Sequence, residues 1–170
     1  VNSGVYQAHE VHHTISPSMD IQVSSNFERY LYYLLGEDPQ RVRDKMQQMA
    51  LEGRLEVSGD ERRQVSELFH AVAVSEQETL EQIRETYRQS GYILDPHTAV
   101  GVRAAKAFPG AVCLATAHPA KFGDAVRQAI GVEAEPPPSL QGLMDKETRC
   151  ALLPADTQAI KAFMRETLAG

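Results

Sequence analysis

Tryptophan is missing from this 170-residue sequence, and aromatic residues amount to only 6%. Any core therefore has to rest on Val, Ile, Leu, Ala and Met. Cysteine is scarce as well. Cys113 and Cys150 are too few for a disulfide framework and do not form a CxxC pair. No apolar run approaches the ~20 residues of a membrane span, so no membrane partner is expected. Basic residues are outnumbered, 17 against 23 acidic, for a net charge of −6. A general nucleic-acid binder would need a basic stripe to displace counterions, so no nucleic-acid partner is expected. Neither an internal repeat nor a low-complexity tract is visible, and no basic-then-apolar leader opens the chain. A reduced, cytoplasmic setting is the expectation. The chain starts Val1-Asn2-Ser3-Gly4 without an initiator Met, as expected of a processed chain or of one that begins inside a longer protein.

What is present, 42% hydrophobic and 24% charged residues, is the composition of a globular protein. Periodicity divides it into helices and short apolar runs. SSNFERYLYYLLG (24–36) spaces Phe27, Tyr30, Leu31, Leu34 and Leu35 at helical intervals. Asp38-Pro39 reads as an N-cap with proline in the first turn of a helix ending at Gly53. Gly59 to Phe69 predicts another short helix. His70-Ala71-Val72-Ala73-Val74 is β-prone, and Ser75 to Glu78 forms an S-x-x-E capping box opening a helix that Gly91 ends. Tyr92-Ile93-Leu94 is a second extended run. Asp95-Pro96 then opens an Ala/Val-rich helix as far as Phe108.

Ala111 to Ala115 is the continuous apolar run expected of a strand buried on both faces. His118-Pro119 opens the next helix, closed by Gly131. The run Pro136-Pro137-Pro138 sits in a stiff connector, and a last amphipathic helix spans about Pro154 to Leu168. The pattern predicts an α/β fold, a parallel sheet flanked by helices, with 71–74 and 111–115 as central strands. The expected divisions are a helical region 1–69, a sheet region 70–132, and a connector with C-terminal helix, 133–170.

In open α/β sheets, ligands gather where strands end and helices begin. That address belongs to Ser75, to Asp95–Thr98 and to Thr116–His118. Thr116 either offers its hydroxyl to a ligand in the crevice or simply ends a strand while His118 caps a helix. Asp95 is accounted for as a cap, and His97 and Thr98 face either a ligand or solvent. In TISPSMDI followed by SSNFER, turn and N-cap roles for Ser25 or Asn26 explain most of the polar residues. They leave unexplained the density of hydroxyls and Arg29, a cation in a first helical turn, which opposes the dipole unless an anion is near. His9-Glu10-Val11-His12-His13 satisfies HExxH, two zinc-binding imidazoles with a general-base Glu when helical. Gly4 and Ser16-Pro17 leave hardly two turns for that helix and no third ligand follows, so no metal is expected.

Taken in order, TISPSMDIQVSSNFER, GYILDPHTAVGV and LATAHPAKF resemble the C-terminal portion of threonine synthases. These are pyridoxal 5′-phosphate (PLP) enzymes of the tryptophan-synthase-β-like fold, fold type II. The resemblance runs from about Gly4 to the C-terminus. It implies the C-terminal part of the PLP-binding large domain of a lyase that converts O-phospho-L-homoserine and water to L-threonine and phosphate. Thr116 falls where the family bonds the pyridine nitrogen, and Asp95 where it places an acidic residue near the cofactor. Ser16 and Ser18, with Asp20, fall on the stretch lining the cofactor face. His97, Asn26 and Arg29 fall where the substrate is met. The lysine that carries PLP and the glycine-rich loop for its phosphate match no residue here and are expected in the remaining, N-terminal part of the enzyme. Two alternatives stand beside this reading: a related phospho-lyase acting on another amino-alcohol phosphate, and a non-catalytic interaction module.

Overall fold

Helix α1 (Phe27–Leu34) begins without a side-chain cap, because Asn26 is already helical (φ −76°, ψ −20°). The side-chain cap expected of Ser25 or Asn26 is therefore not made by Asn26. Helix α2 (Pro39–Glu52) is capped as the Asp-Pro pair predicts. Asp38 accepts from the backbone N–H groups of Gln40 at 2.8 Å and Arg41 at 3.2 Å. It ends at Gly53, whose left-handed conformation (φ 67°) lets its N–H reach Met49 O. That reversal feeds strand β2 (Arg54–Glu56) back along the chain. Strand β1 (Val5–Gln7) pairs with it antiparallel, in the register Val5↔Glu56, Tyr6↔Leu55, Gln7↔Arg54. Helix α3 (Gly59–Leu68) opens with a full capping box between Ser58 and Glu61. Leu31, Leu34, Leu35, Val42, Met49, Leu55 and Val65 make the core of these elements. The pair β1–β2 carried no sequence signal strong enough to predict it.

A second core follows. Helix α4 (Glu76–Ser90) carries the predicted Ser75–Glu78 capping box and ends at Gly91. Helix α5 (Pro96–Ala105) starts at the predicted Asp95 cap and stops short of Phe108. A 3-10 turn over Pro119–Phe122 leads into helix α6 (Gly123–Ile130), again closed by a left-handed glycine, Gly131. Ile83, Leu94, Ala99 and Ala129 form the core of this three-helix layer, and Arg84 ties α4 to α6 by donating Nε–H to Ala129 O at 2.9 Å.

The computed structural model describes residues 2–143 and 145–169; residues 1 and 170, the outer ends of the first and last expected divisions, lie outside them. Two compact units divide after Glu135. The second, from Pro136, contains helix α7 (Thr157–Ala169). This helix starts later than Pro154 because the Asp156 side chain caps it, accepting from Gln158 N at 3.0 Å and Ala159 N at 2.8 Å.

The expected parallel sheet is not formed among the described residues. Runs 71–74, 92–94 and 111–115 form no strand, and the one sheet described is β1–β2. Val112 is 88% and Leu114 77% exposed, the reverse of a strand buried on both faces. The reason is physical: a parallel strand is stabilised only by neighbours that fill its ladder on each side, and no described segment lies alongside these runs to do so.

The caps separate into strong and weak. Asp38→Ala should cost about 1 kcal/mol, whereas Asn26→Ala, which breaks no cap bond, should stay within about 0.5 kcal/mol. Urea midpoints of the two variants at constant m-value check the contrast; equal losses would contradict it.

Candidate functional site

Asp95 stands where the run 92–94 turns into α5. Its backbone is extended (φ −76°, ψ 158°), so its side chain folds back over the helix end. Oδ1 accepts from the backbone N–H of His97 at 2.9 Å and of Thr98 at 3.3 Å, which is all an N-cap requires. Asp95 does more. Oδ1 also lies 3.1 Å from His97 Nδ1, and Oδ2 accepts the Thr98 hydroxyl. The residue is 2% exposed, and a carboxylate that deep persists only when donors surround it.

Two arms leave this carboxylate. The first runs through His97, whose Nε2 accepts the Ser18 N–H at 3.1 Å. An accepting Nε2 leaves the ring proton on Nδ1, directed at Asp95. The segment around Ser18 is thereby fastened to α5, and Phe122 packs on the imidazole with ring centroids 4.6 Å apart. The second arm runs through Thr98. Its hydroxyl, besides donating to Asp95, accepts the backbone N–H of Thr116 at 3.0 Å and lies 3.3 Å from Thr116 Oγ1.

Between the arms opens a cleft of about 790 Å³, within the range of small-molecule sites. Ser18, His97, Thr116 and Lys121 give it polar edges, and Val100, Gly101, Ala104 and Leu114 line its apolar part. Thr116 is exposed there. The other predicted residues stand elsewhere. Ser16 is buried in its own loop, its N–H donating to Thr14 Oγ1 at 3.0 Å. Asn26 borders a separate apolar cavity of about 450 Å³ beside Tyr6 and Phe27. Arg29 lines an open groove of about 950 Å³ along α1 and α2. Residues 8–14 are non-helical, so the HExxH spacing does not stack its imidazoles on one face. Among the described residues, no group of three or more His, Cys, Asp or Glu is placed to hold a metal ion.

Residues 98–164 match the family model "Threonine synthase, C-terminal". A threonine synthase of Pseudomonas aeruginosa is 41% identical over 167 residues, which cover 95% of this chain and 36% of that protein. This chain belongs to the threonine synthase family. Solved structures agree. A PLP-bound threonine synthase from Brucella melitensis is similar with a TM-score of 0.85 at 38% identity, over 97% of this chain and 36% of that one. The yeast threonine synthase gives 0.83 at 34% identity, over 99% and 39%. The chain thus spans about 36% of the length of the Pseudomonas relative it matches.

Against the threonine synthase motifs, the main residue underestimated from sequence is Thr98. As the third residue of a helix after an Asp cap, it reads as part of the cap. Its bond to Thr116, 18 positions away, has no local signature. Asp20 is the other. Its carboxylate anchors the Thr14 loop, accepting Thr14 N–H and the Thr14 hydroxyl, each at 2.8 Å.

The backbone N–H of Thr14 is the main influence holding the Asp20 carboxyl below the usual aspartate range; burial opposes it, and the Thr14 hydroxyl and the fields of His13 and His97 add smaller lowering effects. A depressed folded value means the anchoring is complete at neutral pH and is lost as pH falls below the ordinary aspartate range and through the lowered folded value. Hydrogen exchange of the Thr14 amide, taken relative to an unstructured amide at the same pH, should therefore accelerate on acidification through that window. In Asp20→Asn it should be fast already at neutral pH and show no step there; a retained step would remove Asp20 from the anchor.

Proposed function

We propose that this chain is the C-terminal part of a PLP-dependent threonine synthase of fold type II. The complete enzyme would convert O-phospho-L-homoserine and water to L-threonine and phosphate. The observation that carries the reading is the Thr116 hydroxyl, exposed at the edge of an apolar-walled cleft and backed by Thr98 and the buried Asp95. A heteroaromatic ring with one in-plane nitrogen needs this donor set: a hydroxyl at the edge and small apolar groups against its faces. The residues present therefore fit PLP. When bound, PLP supplies an electron sink for bond changes at the substrate's α- and β-carbons.

The chain's own residues have distinct tasks in this reading. Thr116 meets the ring nitrogen with a neutral hydroxyl. Asp95 does not touch the cofactor, because it is 2% exposed and does not line the cleft; it holds His97 in the cleft wall and Thr98, which in turn holds Thr116. Both ring nitrogens of His97 are likewise occupied, so His97 shapes the cleft wall toward the substrate and does not shuttle protons. Ser18 lines the cleft next to His97, its N–H on the imidazole Nε2. The family resemblance adds Ser16 on the cofactor side and Asn26 and Arg29 on the substrate side. In this chain Ser16 is buried in its own loop and Asn26 and Arg29 border other spaces, so they would act only in the complete enzyme. The cofactor-bearing lysine and the phosphate loop are assigned to the remainder of the enzyme.

The parallel sheet belongs to the same proposal. Runs 71–74 and 111–115 would be strands completed by that remainder, a reading supported by the exposed apolar side chains of Val72, Val112 and Leu114. A cytoplasmic location is supported by the two free, exposed cysteines, which a reducing compartment keeps as thiols. No helix among the described residues is long and apolar enough to cross a membrane.

In the complete enzyme, Thr116→Val should leave folding nearly intact and lower turnover of O-phospho-L-homoserine about ten- to a hundredfold. The ring nitrogen then loses its partner at almost constant shape. Steady-state kinetics decide, and unchanged turnover would make Thr116 only a strand terminus. A second outcome concerns the chain alone. Lys106 is paired with Glu85, and Lys45 donates to Glu56 O. Lys121 lines the same cleft as Thr116, and with Thr116 meeting the ring nitrogen it would stand away from the aldehyde. Borohydride reduction in the presence of PLP should label lysines only sparsely; stoichiometric, selective labelling of Lys121 with threonine formation would overturn the proposal.

A further inference from the structure

The Thr98 hydroxyl is saturated. A hydroxyl has one proton to give and two lone pairs to accept with. Thr98 Oγ1 gives its proton to Asp95 Oδ2, accepts the Thr116 backbone N–H at 3.0 Å, and lies 3.3 Å from Thr116 Oγ1. Since its one proton is committed to the carboxylate, the remaining contact has a single polarity. Thr116 donates and Thr98 accepts.

Thr98 is 5% exposed and so does not reach into the cleft. Its partner Thr116 does. Helix capping needs only the Thr98 backbone N–H, which Asp95 Oδ1 takes at 3.3 Å, so the hydroxyl network is not a by-product of the cap.

We propose that Thr98 is a positioning residue that fixes both the amide and the hydroxyl of Thr116, and so governs how Thr116 meets the ring nitrogen of PLP. The inference rests on the function proposed above. Without a ligand, the Thr116 proton is drawn inward along the chain Thr116–Thr98–Asp95 and its lone pairs face the cleft. A ring nitrogen that needs a proton must draw it away from Thr98. A bond held from two sides, backbone and hydroxyl, limits where Thr116 Oγ1 can go while that happens. Valine at position 98 keeps the shape and removes every one of these constraints; serine keeps them.

The test uses the complete enzyme as wild type, Thr98→Ser, Thr98→Val, Thr116→Val and the double Thr98→Val/Thr116→Val variant. Three quantities are read: the PLP dissociation constant, the absorption spectrum of bound PLP, and the ¹⁵N shift of the ring nitrogen in labelled PLP. Thr98→Ser should match wild type. Thr98→Val should weaken PLP binding about tenfold, the scale of one buried hydrogen bond, and move the ring ¹⁵N shift in the same direction as Thr116→Val. The double variant should bind within about twofold of Thr116→Val, because both residues act on one path. A Thr98→Val enzyme with the wild-type spectrum and shift overturns the inference, as does a double variant showing the full product of the single effects. A folded wild-type enzyme that binds no PLP overturns the functional reading instead. Should Thr98→Val fail to fold, Thr98→Cys, near serine in size with a weakly bonding thiol, replaces it under the same criteria.

Discussion

A carboxylate at 2% exposure survives in a protein interior only if the donors around it are held in place. Asp95 imposes that condition on everything near it. Two backbone N–H groups, an imidazole and a hydroxyl converge on its oxygens, and they come from one helical turn. Losing any of them would leave a buried charge short of partners, a large penalty. The helix start, the histidine tautomer and the threonine rotamer are thus coupled, and through them the two sides of the cleft. Ser18 hangs on the far nitrogen of His97 and Thr116 on the far side of Thr98.

Such a cluster needs a rigid base. The core of Ile83, Leu94, Ala99 and Ala129 supplies it, since Leu94 and Ala99 flank the Asp95 turn on either side in sequence. Small residues matter here: Ala99 and Ala129 let α4, α5 and α6 approach closely, and dense packing transmits any shift of one helix to the others. The caps of α4 and α5 set where each helix begins, so they set where the polar cluster falls relative to that core. The N-terminal elements contribute to the cleft mainly through the loop that carries Ser18, which Asp20 stiffens from within by holding Thr14.

The apolar runs beside the cleft have a different status. Val112 and Leu114 lie exposed, and apolar side chains left in water are costly for an isolated chain. Within the threonine synthase family the chain corresponds to about 36% of the Pseudomonas protein. The cleft lies beside these runs, with Val72, Val112 and Leu114 in its lining.

Local chemistry determined a great deal from sequence alone. Asp-Pro pairs, S-x-x-E boxes and closing glycines define helix ends within a few neighbouring residues, so α2, α4, α5 and α6 were all legible. The three motifs identified the family, and Thr116, Asp95, His97 and Ser18 were found at the cleft or directly behind it. What stayed hidden depends on contacts between distant segments. The β1–β2 register joins residues some fifty positions apart, strands too short for alternation to be read. A strand's character likewise depends on neighbours, which is why 111–115 read as buried and lies exposed. Asp95 as a hub, His97 with both nitrogens spent, and Thr98 as the link to Thr116 were all decided by tertiary structure. A hydrogen bond's partner and direction depend on which groups the fold brings within 3 Å or so, and spacing along the chain carries no record of that.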